Sequence, residues 1–290
     1  MTDLALQRTL SGHADLQVQY TKVIANQLAK NRAHLESLHY AGSKLGFPVD
    51  PEVYPEQDPN LRVFFFDIDN TLYSKSTHIQ DLMVQAIMNY LENYLGLDHR
   101  TATLMNKEYY KRYGLLVKGL VANNGIDALD YNSMVDDSLP LQNVLSEPNL
   151  QLRKMLQDLR ASGKFDKLWL FTNAYKNHAL RIVKILGIAD LFDGITYCDY
   201  TQSKNLICKP DARAFEKAKL ESGLGDYRNG YFIDDSGNNI RVGLELGLKC
   251  VHLQEDTLNN DILGDTPDGA LVVKNILDLP KEVPHLFQDQ

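Results

Sequence analysis

Val63-Phe64-Phe65-Phe66-Asp67-Ile68-Asp69-Asn70-Thr71 decides the fold of this 290-residue chain. Four apolar residues in a row lack the alternation of a half-exposed strand and suit a central parallel strand covered on both faces. Open α/β sheets bind ligands beyond the carboxyl ends of such strands, where Asp67 and Asp69 emerge. Alternation sends the two carboxylates the same way, and a tight turn can converge them on one ligand. One can then attack phosphorus while its neighbour protonates the leaving oxygen and later deprotonates water. Taken singly, Asp-x-Asp-x-Thr serves as well as a turn closed by an Asx hydrogen bond. The rest of the chain has to decide.

Working outward, residues 14–39 carry Leu16, Val23, Ile24, Leu28 and Leu35 in a loose helical pattern, and the prolines at 48, 51, 55 and 59 mark an extended linker. This predicts a segment over 1–60, a helix and a proline-rich linker, packing on the core. After Tyr73 the pattern is helical: Ile79, Leu82, Met83, Ala86, Ile87, Tyr90, Leu91, Tyr94 and Leu95 follow amphipathic spacing up to Gly96. Further helices are expected near 99–113, 114–123 and 130–138, with no strand before Leu168. A single βα crossover is far shorter, so 74–148 reads as an inserted helical domain.

From Asn149 the rhythm is helix 149–162, strand 168–172, helix 175–187, strand 195–198, helix 211–222, strand 230–234, helix 238–246, strand 249–253 and strand 270–273. Gly187 and Gly247 fall at two helix ends. The predicted fold is α/β: a doubly wound parallel-sheet core from 61–73 and 149–290, interrupted by the helical insertion.

Net charge is −8 and hydrophobic content 44%; the isoelectric point is about 5.5. There is no basic stripe for nucleic acid. No uncharged apolar run approaches the roughly 20 residues that span a bilayer, and Met1 to Leu10 lacks the build of a secretory signal. These features predict a monomer without nucleic-acid or membrane partners, in the cytoplasm, with the nucleus also open to it. Cys198, Cys208 and Cys250 have no metal spacing and read as buried thiols, and the eight histidines show no zinc pattern. An acidic protein that binds a dianion needs a metal, a placed lysine and backbone N–H groups.

Candidates for these follow the later strands. Leu168-Trp169-Leu170-Phe171 ends in Thr172-Asn173 before a helix, offering a hydroxyl, an amide and a helix N-terminus to phosphoryl oxygens, although both residues also suit simple capping. Lys209-Pro210-Asp211 opens another helix, and Lys209 there would offset repulsion between an attacking carboxylate and a phosphate dianion. Tyr231-Phe232-Ile233-Asp234-Asp235-Ser236-Gly237-Asn238-Asn239 repeats the opening layout, and its paired acids suit Mg²⁺.

Over residues 62–275 these motifs resemble the haloacid dehalogenase-like hydrolase superfamily. Asp67, Asp69 and Thr71 match its first motif, Thr172 the second, Lys209 the third, and Asp234, Asp235 and Asn239 the fourth. The resemblance implies a Rossmannoid core with a C1-type cap. It implies Asp67 as nucleophile forming an aspartyl-phosphate, and Asp69 as general acid and base oriented by Thr71. It implies Mg²⁺ held by Asp67, the carbonyl of Asp69 and Asp235, with Asp234 and Asn239 nearby, and the phosphoryl group held by Thr172, Asn173 and Lys209. The metal is expected to keep Asp67 ionised while crowded negative charge favours a proton on Asp69.

At finer grain the three strand motifs, with Tyr109-Tyr110-Lys111-Arg112-Tyr113-Gly114 and Val135-Asp136-Asp137-Ser138-Leu139-Pro140, look like the fungal pyrimidine 5′-nucleotidases and nucleotide monophosphatases. The implied partner is a small phosphate ester, UMP or CMP. Tyr73, Tyr110 and Tyr113 are candidates to stack a base, and Lys176 and His178 to reach ribose or phosphate. The alternatives are another monoester, such as lysophosphatidate or a sugar phosphate, a phosphomutase, and a non-catalytic phosphate sensor.

Overall fold

A computed structural model describes residues 3–255 and 265–287. In chain order, helix α1 (Asp3–Ser37) precedes β1 (Val63–Phe66). Helices α2 (Ile79–Asn89), α3 (His99–Tyr113), α4 (Leu116–Asn124) and α5 (Ala128–Met134) follow. The alternation is then α6 (Leu150–Ala161), β2 (Lys167–Phe171), α7 (Lys176–Ile185), β3 (Gly194–Thr196), α8 (Ala212–Ser222) and β4 (Gly230–Asp234). It ends with α9 (Gly237–Leu246), β5 (Lys249–Leu253), β6 (Leu271–Val273) and the short α10 (Leu279–Glu282).

The chain forms two compact units. One comprises residues 38–77, 145–199 and 207–290 and is built on a six-stranded sheet of order β3-β2-β1-β4-β5-β6, every neighbouring pair parallel. The doubly wound α/β fold expected from the sequence is therefore present. Successive strands step away from β1 to one side through β2 and β3, and to the other through β4 and β5. That reversal is a topological switch point. Register puts Phe66 level with Leu170 and with Ile233, so the residues that follow, Asp67, Phe171 and Asp234, end together at one edge.

The sheet is apolar on both faces. Val63, Phe64, Phe65 and Phe66 are each at most 2% exposed. Val63 and Phe65 join Trp169, Phe171, Phe215 and Phe232 on one side. Phe64 stacks near Phe66, and Phe66 meets Phe192 edge-on. Gly187 and Gly247 adopt φ of 72° and 102° at the ends of α7 and α9, the left-handed conformation that closes a helix. The three cysteines are buried and unbridged.

The other unit comprises residues 1–37, 78–144 and 200–206 and is helical. Within it, Gln17 Nε2 donates to the Tyr94 carbonyl at 2.6 Å, and buried Asn31 donates to the carbonyls of Asp137 and Leu139. The helix beginning at Ile79 passes into a π turn over Tyr90–Tyr94. Caps define its neighbour: Asp98 accepts from the Thr101 N–H at the start of α3, and Gly114 ends that helix. No helix among the described residues is long and apolar enough to cross a membrane.

Candidate active site

Asp67 is fixed first by the sheet. Its N–H donates to the Ile233 carbonyl at 3.0 Å, continuing the ladder one residue past β1. The chain then turns sharply: the N–H groups of Thr71 and Leu72 both return to the Ile68 carbonyl, and Asn70 takes φ 58°, a conformation asparagine tolerates. Fully buried Ile68 and Leu72 anchor the turn. Thr71 Oγ1 donates to Asp67 Oδ2 at 2.9 Å. The sequence had assigned Thr71 to orient Asp69; the turn carries its hydroxyl to Asp67 instead.

Lys209 is the hub. Its ammonium is 1% exposed and donates at 2.7 Å to each of Asp67 Oδ1, Asp234 Oδ2 and the Phe171 carbonyl, using all three N–H bonds. Burial opposes the lysine charge, but the carboxylates of Asp234 and Asp67 outweigh it and hold the pKa above its ordinary value. Asn173 donates to the Lys209 carbonyl at 2.9 Å and accepts from its N–H at 2.7 Å, so its side chain holds the lysine backbone. Asp234 also accepts from the Ser236 N–H and from Asn239 Nδ2, at 2.8 and 2.9 Å.

One oxygen of each of Asp67, Asp234 and Asp235 lies within 4.8 Å of the others, and all three residues are buried. Three carboxylates face two ammonium groups, Lys209 beside Asp67 and Asp234 and Lys75 beside Asp235. Burial, followed by the charge of Asp234, pushes Asp235 up to about 7, against the pull of Lys75, whose Nζ stands 3.5 Å from Asp235 Oδ2. That oxygen is buried without a hydrogen-bond partner among the described residues. An all-oxygen, negatively charged set, with Asp235 Oδ2 held only by the 3.5 Å ion pair to Lys75, fits a hard divalent cation, Mg²⁺ in particular.

The two acids of the first motif have different surroundings. Asp69 Oδ1 lies 2.6 Å from the Tyr73 hydroxyl and 2.8 Å from His178 Nε2. Burial would raise its pKa, but His178 and the two hydrogen bonds outweigh burial and hold it below the usual aspartate value. Asp67 has less relief. Burial pushes it well up, Lys209 pulls back, and Asp234, Asp235 and Asp69 push up again. The protein's own charges therefore raise Asp67 and lower Asp69, before the charge of any cation held by the cluster is counted.

Thr172 is buried. Its Oγ1 accepts from the Ala174 N–H at 3.0 Å, which leaves the O–H as a donor. Helices α7 and α9 begin just past β2 and β4 without side-chain caps, whereas α6 and α8 are capped by Asn149 and Asp211. N-termini left in this way suit an anion.

Other candidates lie elsewhere in their bonding. Lys176 pairs with Asp50 and lies over the Tyr175 and Tyr197 rings. Tyr73 and His178 contact Asp69. Tyr110 and Tyr113 belong to α3 of the helical unit, where Tyr110 is 42% exposed and Asn123 Nδ2 donates to the Tyr113 hydroxyl at 3.0 Å. Sequence reasoning missed Lys75, Asp50 and Glu255, the last of which accepts from the Lys75 N–H at 2.9 Å. No spacing signals these residues, since each partner is remote along the chain or lies in an ordinary polar turn.

The fold and this cluster define a class: the chain belongs to the haloacid dehalogenase-like hydrolase family, whose sequence model matches residues 61–247. It is 49% identical over 277 residues to phosphate metabolism protein 8 of Saccharomyces cerevisiae, covering 92% of this chain and 86% of that one. Two solved structures share the fold. One is CbbY from Rhodobacter sphaeroides in complex with phosphate, with a TM-score of 0.53 and 14% identity over 76% of this chain and 96% of that one. The other is a HAD phosphatase from Thermococcus onnurineus, with a TM-score of 0.50 and 19% identity over 76% and 97%. Family and acid pair together describe a hydrolase of phosphate monoesters.

Proposed function

We propose that the protein is a Mg²⁺-dependent phosphatase of nucleoside 5′-monophosphates, with UMP and CMP preferred, working through an aspartyl-phosphate on Asp67. The observation that carries the phosphatase chemistry is the Lys209 ammonium, buried and shared at 2.7 Å between Asp67 and Asp234. It holds a carboxylate ready where a dianion would otherwise be repelled. The nucleotide preference rests on the likeness of motifs to pyrimidine 5′-nucleotidases.

Asp67, Asp234 and Asp235 would hold Mg²⁺, which when bound supplies the positive charge that keeps Asp67 ionised and offsets the charge of the phosphate. The Asp67 carboxylate attacks phosphorus as the bond to the nucleoside 5′-oxygen breaks, and Asp69 gives that oxygen its proton. Water then attacks phosphorus and returns a proton to Asp69, and Asp67 is released with inorganic phosphate. The Thr172 hydroxyl, Lys209 and the N–H groups at the start of α7 and α9 would stabilise the phosphoryl oxygens. A dianion arriving beside Asp69 favours its protonated form, offsetting the lowering imposed by His178. Tyr110 and Tyr113 would contribute base selectivity.

Phosphate release is the test, measured with UMP, CMP, AMP, GMP, lysophosphatidate and a sugar phosphate, with Mg²⁺ or with chelator. UMP and CMP should give the highest kcat/KM, and chelator should abolish release. A sugar phosphate or lysophosphatidate turned over faster than any nucleotide rejects the substrate. Equal phosphate release by wild type and Asp67→Asn rejects the mechanism.

A further inference from the structure

We infer that Tyr73 and His178 are positioning residues that fix the orientation of the Asp69 carboxyl group. The inference rests on the reading of Asp69 as general acid and base and deepens it.

The two donors reach one oxygen. The Tyr73 hydroxyl is 2.6 Å and His178 Nε2 is 2.8 Å from Asp69 Oδ1. An ionised carboxylate accepts only, and a carboxylic acid protonated on Oδ2 still accepts at Oδ1, so Nε2 is the donor in both states. With two hydrogen bonds already made, Oδ1 cannot take a proton without breaking one. Asp69 Oδ2 has no hydrogen-bond partner among the described residues. Oδ2 is therefore the oxygen left to give and take a proton during the reaction.

The donors hold fixed directions. Tyr73 lies four residues beyond Asp69, just past the turn, and is 6% exposed. His178 lies in the first turn of α7, which follows directly from Thr172 and Asn173, and is fully buried. One hydrogen bond would let the carboxyl swing about its bond to Cβ, whereas two bonds from separate elements leave one orientation. Both side chains then act through Asp69, and neither is a base or ribose contact.

In the first half of the cycle the bond between phosphorus and the 5′-oxygen breaks as the Asp67 oxygen bonds to phosphorus, and the Oδ2 proton passes to the 5′-oxygen. In the second half, water bonds to phosphorus, its proton returns to Oδ2, and the bond from Asp67 to phosphorus breaks. A nucleoside alkoxide cannot leave without that proton, whereas nitrophenolate can.

The experiment compares UMP with 4-nitrophenyl phosphate in Tyr73→Phe, His178→Ala and His178→Gln, with Asp69→Asn as reference. Steady-state kcat and KM are read for UMP, and the nitrophenolate burst is read by stopped flow. A positioned acid contributes about 10²–10⁴-fold. Tyr73→Phe and His178→Ala should therefore lower kcat for UMP by about 10–100-fold, leave its KM within about twofold, and leave the burst rate within about threefold. His178→Gln keeps an N–H donor and should recover part of the UMP rate. Equal losses on both substrates, a raised KM with unchanged kcat, or no loss at all each overturn the inference. Should His178→Ala not fold, Tyr73→Phe, which deletes one hydroxyl, decides alone. Phosphate release by Asp67→Asn would instead overturn the aspartyl-phosphate reading, so the two failures are told apart.

Discussion

Asn173 and Lys209 hold each other by a reciprocal pair of hydrogen bonds, amide to carbonyl at 2.9 Å and N–H to amide oxygen at 2.7 Å. The pair joins the loop after β2 to the start of the segment that leads into α8. It sets the main chain from which the Lys209 ammonium reaches Asp67. Asn173→Ala should therefore act through Lys209: kcat on the preferred ester falls by about tenfold or more, because small displacements at a reacting centre cost that much. Stability should fall by about 1–2 kcal/mol for two lost hydrogen bonds. Urea denaturation and steady-state kinetics check both. An unchanged kcat with the stability loss present would show that the clasp does not set the lysine's position.

Lys209→Met tests the charge itself. Methionine roughly matches the length of the lysine stem but leaves Asp67 and Asp234 facing each other without a cation. Removing one partner of a buried ionic cluster costs about 3–5 kcal/mol, since the remaining charges stay buried. The double variant Lys209→Met with Asp234→Asn should recover part of that loss while remaining inactive. Chemical denaturation of the three proteins measures the coupling; a double variant no more stable than Lys209→Met would rule out charge repulsion as the cause.

Much of this arrangement was legible in the chain because apolar runs mark buried strands. The strand predicted at 62–68 is Val63–Phe66, those predicted at 230–234 and 249–253 match within the same limits, and the edge on which the motifs fall follows from parallel order. What was not legible depends on contacts remote in sequence. A helical pattern shows which face of α1 is apolar but not which neighbour covers it, and its grouping with residues 78–144 comes from contacts remote in the chain. Over a single turn, the π geometry at Tyr90–Tyr94 has the same apolar spacing as an α-helix. The left-handed Asn70 sends Thr71 back to Asp67, and His178, 109 residues from Asp69, lowers the pKa of the second acid.

Acid should weaken the sheet unit through its arginine pairs. Arg153 grips Asp190 with two N–H groups at 2.6 and 2.8 Å and also donates to the Gly187 carbonyl at 2.8 Å, tying α6 to the end of α7. The hydrogen bonds from Arg153 hold the Asp190 pKa below its ordinary value of 3.8. A depressed folded pKa means that the pair stabilises fully above the unfolded value and loses that contribution as pH falls through the folded one. Asp190 is 37% exposed, so solvent limits the effect to about 0.5–1 kcal/mol. Asp190→Asn should be less stable by that amount at pH 7, with the difference shrinking as the pH falls below the ordinary aspartate value of 3.8. Urea titrations from pH 7 to pH 2.5 measure it, and a difference that grows toward acid would contradict the assignment.

Asp67 and Asp235 should separate metal binding from turnover. Burial and the charges of Asp234, Asp235 and Asp69 raise Asp67 against the pull of Lys209, so Asp67→Asn removes a disfavoured charge at almost constant volume. Without metal, that variant should melt at the same temperature as the wild type or higher, and it should be inactive. Mg²⁺ that binds only the folded chain stabilises it by an amount that rises with the logarithm of its concentration, about 2.7 kcal/mol at a hundred times its Kd. The wild-type melting temperature should therefore rise with Mg²⁺ in the absence of any substrate, and Asp235→Asn should lose most of that rise because one carboxylate of the cluster is gone. Calorimetric scans of the three proteins in chelator and in millimolar Mg²⁺ decide it. If Asp235→Asn gains as much from Mg²⁺ as the wild type does, the cation is bound elsewhere, and the acidic cluster owes its charge to some other purpose.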